Sequence, residues 1–366
     1  MNKKLLTIFR WLVGLLFIFS GLIKANDPLG LSYKMQEFFE AWHLKGFHDY
    51  TLALSLGMNL LEVVAGVAVI VGWQMKRVSW LLLVLIVFFT FLTSYVLFSG
   101  KIHACGCFGD CVPLTPIQTF TKDVVLLLMI ILLLFNASKM KGLLSSKVSL
   151  SVIVVSFFSI VLLQWYVLKY LPILDCLPYA KGKNIIEGMK LPPDAQPDII
   201  AMTFKYKKDG KQVEFQDSVP TNVMEDSTYE YVDRYDKVIK KGTGLPKIVD
   251  FSLVTMAGTD TTQAVLNQTG KYVMLFVKDF TTLDKWKDDF EKARIVLKQK
   301  NIPLFLVTAD AGKAISLFSN IDILKCDATV IKTAARVNPT YFYMQQANII
   351  GKYSYVNGNK LLMQIK

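Results

Sequence analysis

Charge is scarce in this chain. Asp, Glu, Lys and Arg make up only 19% of its 366 residues, against about 25% in soluble globular proteins. Hydrophobic residues reach 53%, and the mean hydropathy is +0.39. That balance excludes a disordered chain and a protein soluble throughout. Cysteine is scarce as well. Five are too few to frame a disulfide-dense secreted scaffold. Also missing is a clustered basic face. The net charge is +12, but residues 1–170 hold 14 Lys/Arg against 7 Asp/Glu, and residues 171–366 hold 27 against 22. With no recognisable nucleic-acid module either, no nucleic-acid partner is expected.

What the chain does have is long apolar runs. At about 150 residues per domain, its length suggests two or three domains. Runs long enough to cross a bilayer, roughly 20 residues, recur five times, at 5–23, 51–72, 78–98, 116–137 and 148–168. Lys3 and Lys4 would suit a signal peptide, but no small-x-small cleavage site follows, so the first run is expected to stay as a helix. Lys/Arg in short loops set orientation. With the N-terminus inside, the inner side carries Lys3, Lys4, Arg10, Lys76, Arg77, Lys139, Lys141 and Lys147. The outer loops carry Lys24, Lys34, Lys45, Lys101 and Lys122. The bias favours an inner-membrane, multi-pass protein with its N-terminus in the cytoplasm. Five spans then place everything after Leu168 outside, periplasmic or extracytoplasmic.

Between the first two runs, Pro28 and Gly30 are expected to break the helix. Leu31, Met35, Phe38, Phe39, Trp42 and Leu44 then recur at near-helical spacing, as in a short amphipathic helix at the lipid interface or a cap over the bundle. Glu62 lies in the middle of the second run, near Asn59. A carboxylate at that depth needs a partner or a cavity, so Glu62 is a candidate site residue, with burial beside Lys24 as the structural alternative. Lys122 and Asp123 read as a local ion pair near the interface.

The strongest local signal is the third connection, where His103, Cys105, Cys107 and Cys111 crowd into nine residues with Gly106 and Gly109 between them. In the favoured topology this loop faces the oxidising side, where disulfides persist. Glycines permit tight bends. A Cys105–Cys107 bond would close a very small, strained ring, and strained disulfides are the readily exchanged ones. Cys111 is then expected as a resolving thiol, and His103 as a group that lowers a thiol pKa or moves a proton. A static loop-pinning disulfide is the alternative. Cys-x-Cys is tighter than usual structural zinc spacing, so no bound metal is expected.

Cys105-Gly106-Cys107-Phe108-Gly109 at the mouth of a four-helix bundle resembles the DoxX/MauE-like membrane families, MauE being the membrane protein of methylamine utilisation. The stretch Phe17-Ile18-Phe19-Ser20-Gly21-Leu22-Ile23-Lys24-Ala25-Asn26-Asp27-Pro28 is similar to the DoxX-type first helix and its exit, and Glu62 falls where such proteins carry an acidic residue. The resemblance covers about residues 5–137. For MauE it implies a role in forming disulfides in exported proteins. Cys111 is an extra cysteine beside the familiar pair.

After Leu168 the composition changes. Pro172, Pro178, Pro192, Pro193 and Pro197 mark a linker with little helix. Stretches 199–206 and 211–215 flank Lys207-Lys208-Asp209-Gly210, a hairpin turn signal, and 229–232 and 237–240 add two strands. From about residue 245, strand 272–278, helix 283–299, strand 302–308, helix 311–318, a hairpin over 339–346 and 349–356, and helix 358–365 look like a thioredoxin fold, with Asn338-Pro339 as its cis-proline turn. The loop that should hold Cys-x-x-Cys reads Asp279-Phe280-Thr281-Thr282-Leu283. Cys326 reads as a small buried hydrophobe, while for Cys176, just past the fifth span, pairing with a loop cysteine at the membrane surface is the lesser alternative.

The fold expected is therefore an α-helical membrane bundle, a four-helix DoxX/MauE-like core plus a fifth span, followed by a soluble α/β thioredoxin-like domain. The parts are 1–137, the fifth helix within 138–170, a β-rich connector over 171–244, and 245–366. The leading function is membrane-bound thiol–disulfide redox chemistry on an exported client, with Cys105, Cys107, Cys111, His103 and Glu62 as site residues. A membrane quinone is the candidate electron acceptor, and lipid and the exported client are the partners. The alternatives are a non-enzymatic envelope protein that binds or chaperones clients, and a DoxX-type oxidase-linked subunit.

Overall fold

The computed structural model describes residues 3–99, 102, 106, 108–193, 195, 199–208, 211–216, 228–240, 244 and 246–365. The chain folds as two units, residues 1–182 with 252–366, and residues 183–251.

The five apolar runs are five long helices, α1 (Lys3–Asn26), α3 (Thr51–Val71), α4 (Met75–Ser99), α5 (Pro116–Phe135) and α6 (Ser146–Tyr170), each long and apolar enough to span a membrane. The breaks between them follow from local chemistry. α1 stops at Asn26, ahead of the expected break at Pro28 and Gly30. Asp27 caps a new helix, α2 (Pro28–Ala41), accepting from the Gly30 amide, and Pro28 occupies its first turn, where a missing N–H costs nothing. The expected short helix thus includes both residues. Gly72, at φ 75°, ends α3 in the left-handed region. Thr115 and Gln118 form a reciprocal capping box at the head of α5.

α1 packs mainly on α3, α4 on α5, and α6 along α3. The first contact is close because Gly14 faces Gly66. A Cβ at Gly66 would sit 2.8 Å from the Gly14 carbonyl oxygen, so the backbones approach as in small-residue helix pairs. Val13, Val69, Leu82, Ile86, Ile130 and Leu133 fill the bundle core, while Val84, Phe91, Val155 and Leu162 point outward, as lipid-facing residues do. The side chain of Asn59 on α3 donates to Gln164 on α6 (3.1 Å), and Gln164 donates to the Leu56 carbonyl (3.3 Å). The fifth helix is thus tied by polar groups to the second span.

Within the same unit, residues 252–365 form a five-stranded mixed sheet. Its strands are β4 (Lys271–Val277), β5 (Leu304–Thr308), β6 (Asp322–Lys325), β7 (Thr340–Gln345) and β8 (Asn348–Ser354), in the order β6-β5-β4-β7-β8. β4, β5 and β6 run parallel, and β7 and β8 form an antiparallel hairpin beside β4. The expected βαβ unit, hairpin and closing helix (α12, Gly358–Ile365) are present, and the Asn338–Pro339 bond is cis. Helix 283–299 is shorter than expected. A 3-10 turn covers Leu283–Lys285, Trp286 leaves helical geometry to enter the core at 1% exposure, and α9 starts at Lys287 and runs to Gln299. Trp286 stacks on Phe318 at 5.9 Å and meets Phe290 edge-on. Three elements of this region escaped the sequence reading, α8 (Thr262–Leu266), β6 and α11 (Ala328–Ala334). All are too short to show a period. α10 (Ala311–Leu317) completes this region.

The unit of residues 183–251 holds α7 (Ile185–Met189) and an antiparallel sheet ordered β2-β1-β3, from β1 (Ile199–Lys208), β2 (Lys211–Gln216) and β3 (Tyr229–Lys240). The β1–β2 hairpin is as expected, although the turn at Asp209 and Gly210 lies outside the described residues. The two short strands expected at 229–232 and 237–240 are one strand. Asp233, Arg234 and Asp236, between the two expected stretches, pair with β1 in an edge strand, where charge is tolerated.

Candidate functional site

The loop between α4 and α5 is drawn tight by its glycines. Gly106 (φ 71°) and Gly109 (φ 56°) both take left-handed conformations, and the Gly109 amide donates to the Gly106 carbonyl at 2.8 Å. Behind them, Cys111 is disulfide-bonded to Cys176, with Cα atoms 4.9 Å apart. The bond joins this loop to the segment after α6. This corrects one expectation. Cys111 is not a free resolving thiol here, because its sulfur is already bonded to a cysteine 65 positions away. His103, Cys105 and Cys107 lie outside the described residues.

The Cys176 segment is held in place by Asn26, the last residue of α1. The Asn26 carboxamide donates to the Leu174 carbonyl (2.8 Å) and accepts from the Ile173 and Leu174 amides (2.9 and 3.1 Å). Cys111 is half-buried and Cys176 exposed. Both line a cavity of about 330 Å³, with α2 and α11 forming much of its remaining wall. Tyr33, Glu37, Glu40 and Lys34 contribute from α2, and Thr329, Lys332, Thr333 and Arg336 from α11 and just beyond it.

Each bonded cysteine is preceded by an aspartate, and each aspartate is paired with a base from the α/β region. The Arg336 Nη2 lies 3.4 Å from Asp110, and its Nε donates to both carboxylate oxygens of Asp27 at 2.8 and 3.0 Å. Lys352 Nζ lies 2.7 Å from Asp175. Arg336 is 6% exposed and Lys352 is 4% exposed at the side chain. Burial lowers the Lys352 pKa against the pull of Asp175. Lys278 at the end of β4 donates to Tyr33 Oη (3.3 Å) and to the Arg336 carbonyl (2.9 Å). Burial, helped by Arg336, pushes the Lys278 amine down to about 8, and burial pushes the Tyr33 hydroxyl up to about 12.

The cysteine-free loop of the α/β region lies at this same edge. The Lys278 amide donates to the Asn338 side chain, which in turn donates to the Asp279 carbonyl, both at 2.9 Å. Cys326 is 3% exposed, and burial pushes its thiol up to about 12, as befits an inert core residue.

Beneath the cysteine loop, inside the bundle, Glu62 pairs with Lys24, and both side chains are buried. Lys24 also lies 4.6 Å from the Phe89 ring centre. Asp123 pairs with Lys122 and accepts from Thr93 (3.1 Å). The expected local pair is present, with Asp123 only 1% exposed. The two pairs, Ser20 and Phe108 line a cavity of about 20 Å³, room for a single water and too small for a quinone ring. The structure therefore brings Glu62 under the loop that carries the cysteines, and gives it the Lys24 partner weighed as its structural alternative.

Asn26, Asp27, Tyr33, Lys278, Arg336 and Lys352 escaped sequence reasoning. One signal was present, an acidic residue immediately before two cysteines far apart in the chain, Asp110-Cys111 and Asp175-Cys176.

Comparison with known proteins covers parts of the chain. The family described as "Methylamine utilisation protein MauE" matches residues 2–136, and a "Domain of unknown function (DUF8463)" matches residues 200–241. "Protein TlpB" of Flavobacterium psychrophilum is 28% identical over 134 residues, which is 36% of each chain. The chain thus spans about a third of the length of that curated relative. No solved structure matches. Residues 2–136, the helices and loop that build the cysteine-bearing end of the bundle, are MauE-like.

Proposed function

We propose that the protein is a membrane-bound thiol–disulfide redox protein that supports disulfide formation or maturation in exported proteins. The observation that carries this reading is the Cys111–Cys176 disulfide on the wall of a cavity, with Cys111 in the same loop as Cys105 and Cys107. Disulfides persist in oxidising compartments. The Lys/Arg distribution adds an N-terminus in the cytoplasm and a bundle in the inner membrane. After five spans, the α/β region stands on the same outer side as the cysteine loop it touches. The MauE-like segment supports the same chemistry by resemblance.

In this reading a client dithiol is oxidised by the Cys105–Cys107 bond. The client gains a disulfide and the pair becomes two thiols; a membrane quinone would supply the two-electron, two-proton acceptor that reoxidises the pair. Glu62, beside Lys24 under the loop, holds or passes protons for that step. A second reading, client binding without redox work, draws on the cysteine-free loop at 279–283.

Thiol trapping in intact cells tests the proposal. In Cys107→Ser, acid-quenched samples should show a client joined to Cys105 on non-reducing gels, with the mirror result in Cys105→Ser. If neither variant accumulates a mixed disulfide, redox exchange is ruled out and the binding reading stands.

A further inference from the structure

We infer that the Cys111–Cys176 disulfide is itself a second exchange site, entered at Cys176 by a cysteine of an extended polypeptide seated in the 330 Å³ cavity. The inference rests on the thiol–disulfide reading and extends it to a sulfur pair and a substrate form that the reading does not assign.

Three observations converge on it. First, a purely structural disulfide gains nothing from solvent, yet Cys176 is exposed and both cysteines line the cavity. Exchange needs a sulfur that an incoming thiolate can reach. Second, the cavity volume falls at the low end of ligand-sized sites, about 300–1,000 Å³, enough for a few residues of chain and too little for a folded partner. Its walls offer hydroxyls and amides (Tyr33, Gln36, Thr329 and Thr333) with charges of both signs. Apolar surface from Leu31, Leu174 and Leu177 makes up the larger share of the wall, a mixture that suits a stretch of polypeptide with its polar backbone and apolar side chains. Third, the two halves of the disulfide are held independently. The Cys176 segment is fixed by Asn26 and by Lys352 on Asp175. The Cys111 loop is held by the Gly109–Gly106 backbone hydrogen bond, with Arg336 approaching Asp110. With the sulfur–sulfur bond open, these contacts keep the two sulfurs near each other for reclosure.

In the first step a client thiolate forms a bond to the Cys176 sulfur as the Cys176–Cys111 bond breaks, and Cys111 leaves as a thiolate that takes a proton from water. A second client thiolate then displaces Cys176, which is protonated in turn. The client has gained a disulfide and lost two electrons, and Cys111 and Cys176 have become thiols.

The test uses the full chain in phospholipid nanodiscs. A ten-residue peptide with one central cysteine is added, exchange is quenched with acid and alkylating agent, and mass spectrometry locates the peptide. The expected adduct is on Cys176. Thr333→Trp, which fills the cavity from a partly exposed helix position, should slow that adduct at least tenfold. It should change the rate of reduction by 2-mercaptoethanol less than twofold. Peptide on Cys105 or Cys107 but never on Cys176 overturns this inference and leaves the thiol–disulfide reading standing. No adduct on any of the four overturns both. An adduct on Cys176 that forms equally fast in Thr333→Trp overturns the cavity as the seat of the polypeptide.

Discussion

Two loops of this molecule differ in what they carry. The α4–α5 loop holds three of the five cysteines, and the loop after β4, at Asp279–Leu283, holds none. Yet the second loop occupies the place where a thioredoxin-like sheet would keep its cysteine pair, beside the cis Asn338–Pro339 bond. The contrast separates two tasks. On the proposed reading, sulfur chemistry belongs to the bundle and the segment after α6, and the α/β region contributes charge. Its Arg336, Lys352 and Lys278 all reach groups of the bundle or of the Cys176 segment.

The largest expected effect breaks that contrast directly. Cys107→Ser should lower the rate of oxidation of a dithiol client at least tenfold, leaving only what the Cys111–Cys176 bond supplies, whereas Thr281→Ala in the cysteine-free loop should leave the rate within about twofold. The measurement is the initial rate of client thiol loss with each purified variant. Equal losses in the two variants would mean that the α/β loop takes part in the chemistry and that the division of labour is wrong.

Next in size is the buried pair under the cysteine loop. Glu62→Leu strands the Lys24 ammonium among apolar groups, and breaking a buried pair from one side costs about 3–5 kcal/mol. The double variant Lys24→Met/Glu62→Leu should recover most of that stability, because it removes both charges. Thermal unfolding of the two variants in detergent checks this. A stable but inactive double variant assigns Glu62 a part in proton handling, and a stable, active one confines it to structure.

How much of this was legible in the sequence depends on the range over which each residue acts. The five spans were readable because apolar runs of about 20 residues need no tertiary information. The βαβ-hairpin-helix order was readable because buried strands and amphipathic helices alternate. Gly106 and Gly109 were readable as bends because their conformational freedom is local. The pairing of Cys111 with Cys176 was not, since four cysteines on one side allow three connectivities and nothing local chooses among them. Nor was Arg336. It lies 309 positions from Asp27, and a lone arginine after a seven-residue helix carries no pattern. β6 has four residues and gained its place only by pairing with β5.

Arg336 gives the third prediction. Arg336→Ala leaves Asp27 without its buried partner and should cost about 3 kcal/mol, the lower end for a buried pair, because the Asp27 side chain is 20% exposed. Asp110→Asn removes only a 3.4 Å contact to a carboxylate that is 54% exposed and should cost under about 1 kcal/mol. Unfolding midpoints of the two variants compare them. A larger loss in Asp110→Asn would show that the cysteine loop, and not the start of α2, anchors the α/β region.

The smallest effect is a pH slope from Lys278. Its amine is held down to about 8 from an ordinary 10.5 by burial and by Arg336, with Asp279 and Asp27 opposing and Lys332 adding to the depression. A lysine depressed in the folded state binds fewer protons there than in the unfolded chain between those two values. Stability must therefore rise with pH across that window. Below about pH 8 the penalty for charging the buried amine is present in full. Between pH 8 and 9.5 it is relieved by about 1–2 kcal/mol, at 1.36 kcal/mol per unit. Tyr33, raised to about 12, stays protonated in the folded protein over this range. Lys352 is depressed in the same sense, so it adds to the slope and must be held constant in the comparison. Lys278→Met should flatten the rise in unfolding midpoint between pH 8 and 9.5 while leaving the remaining slope from Lys352. An unchanged slope in Lys278→Met would mean that the Lys278 amine reaches water, and that the contact of β4 with Tyr33 is looser than the distances describe.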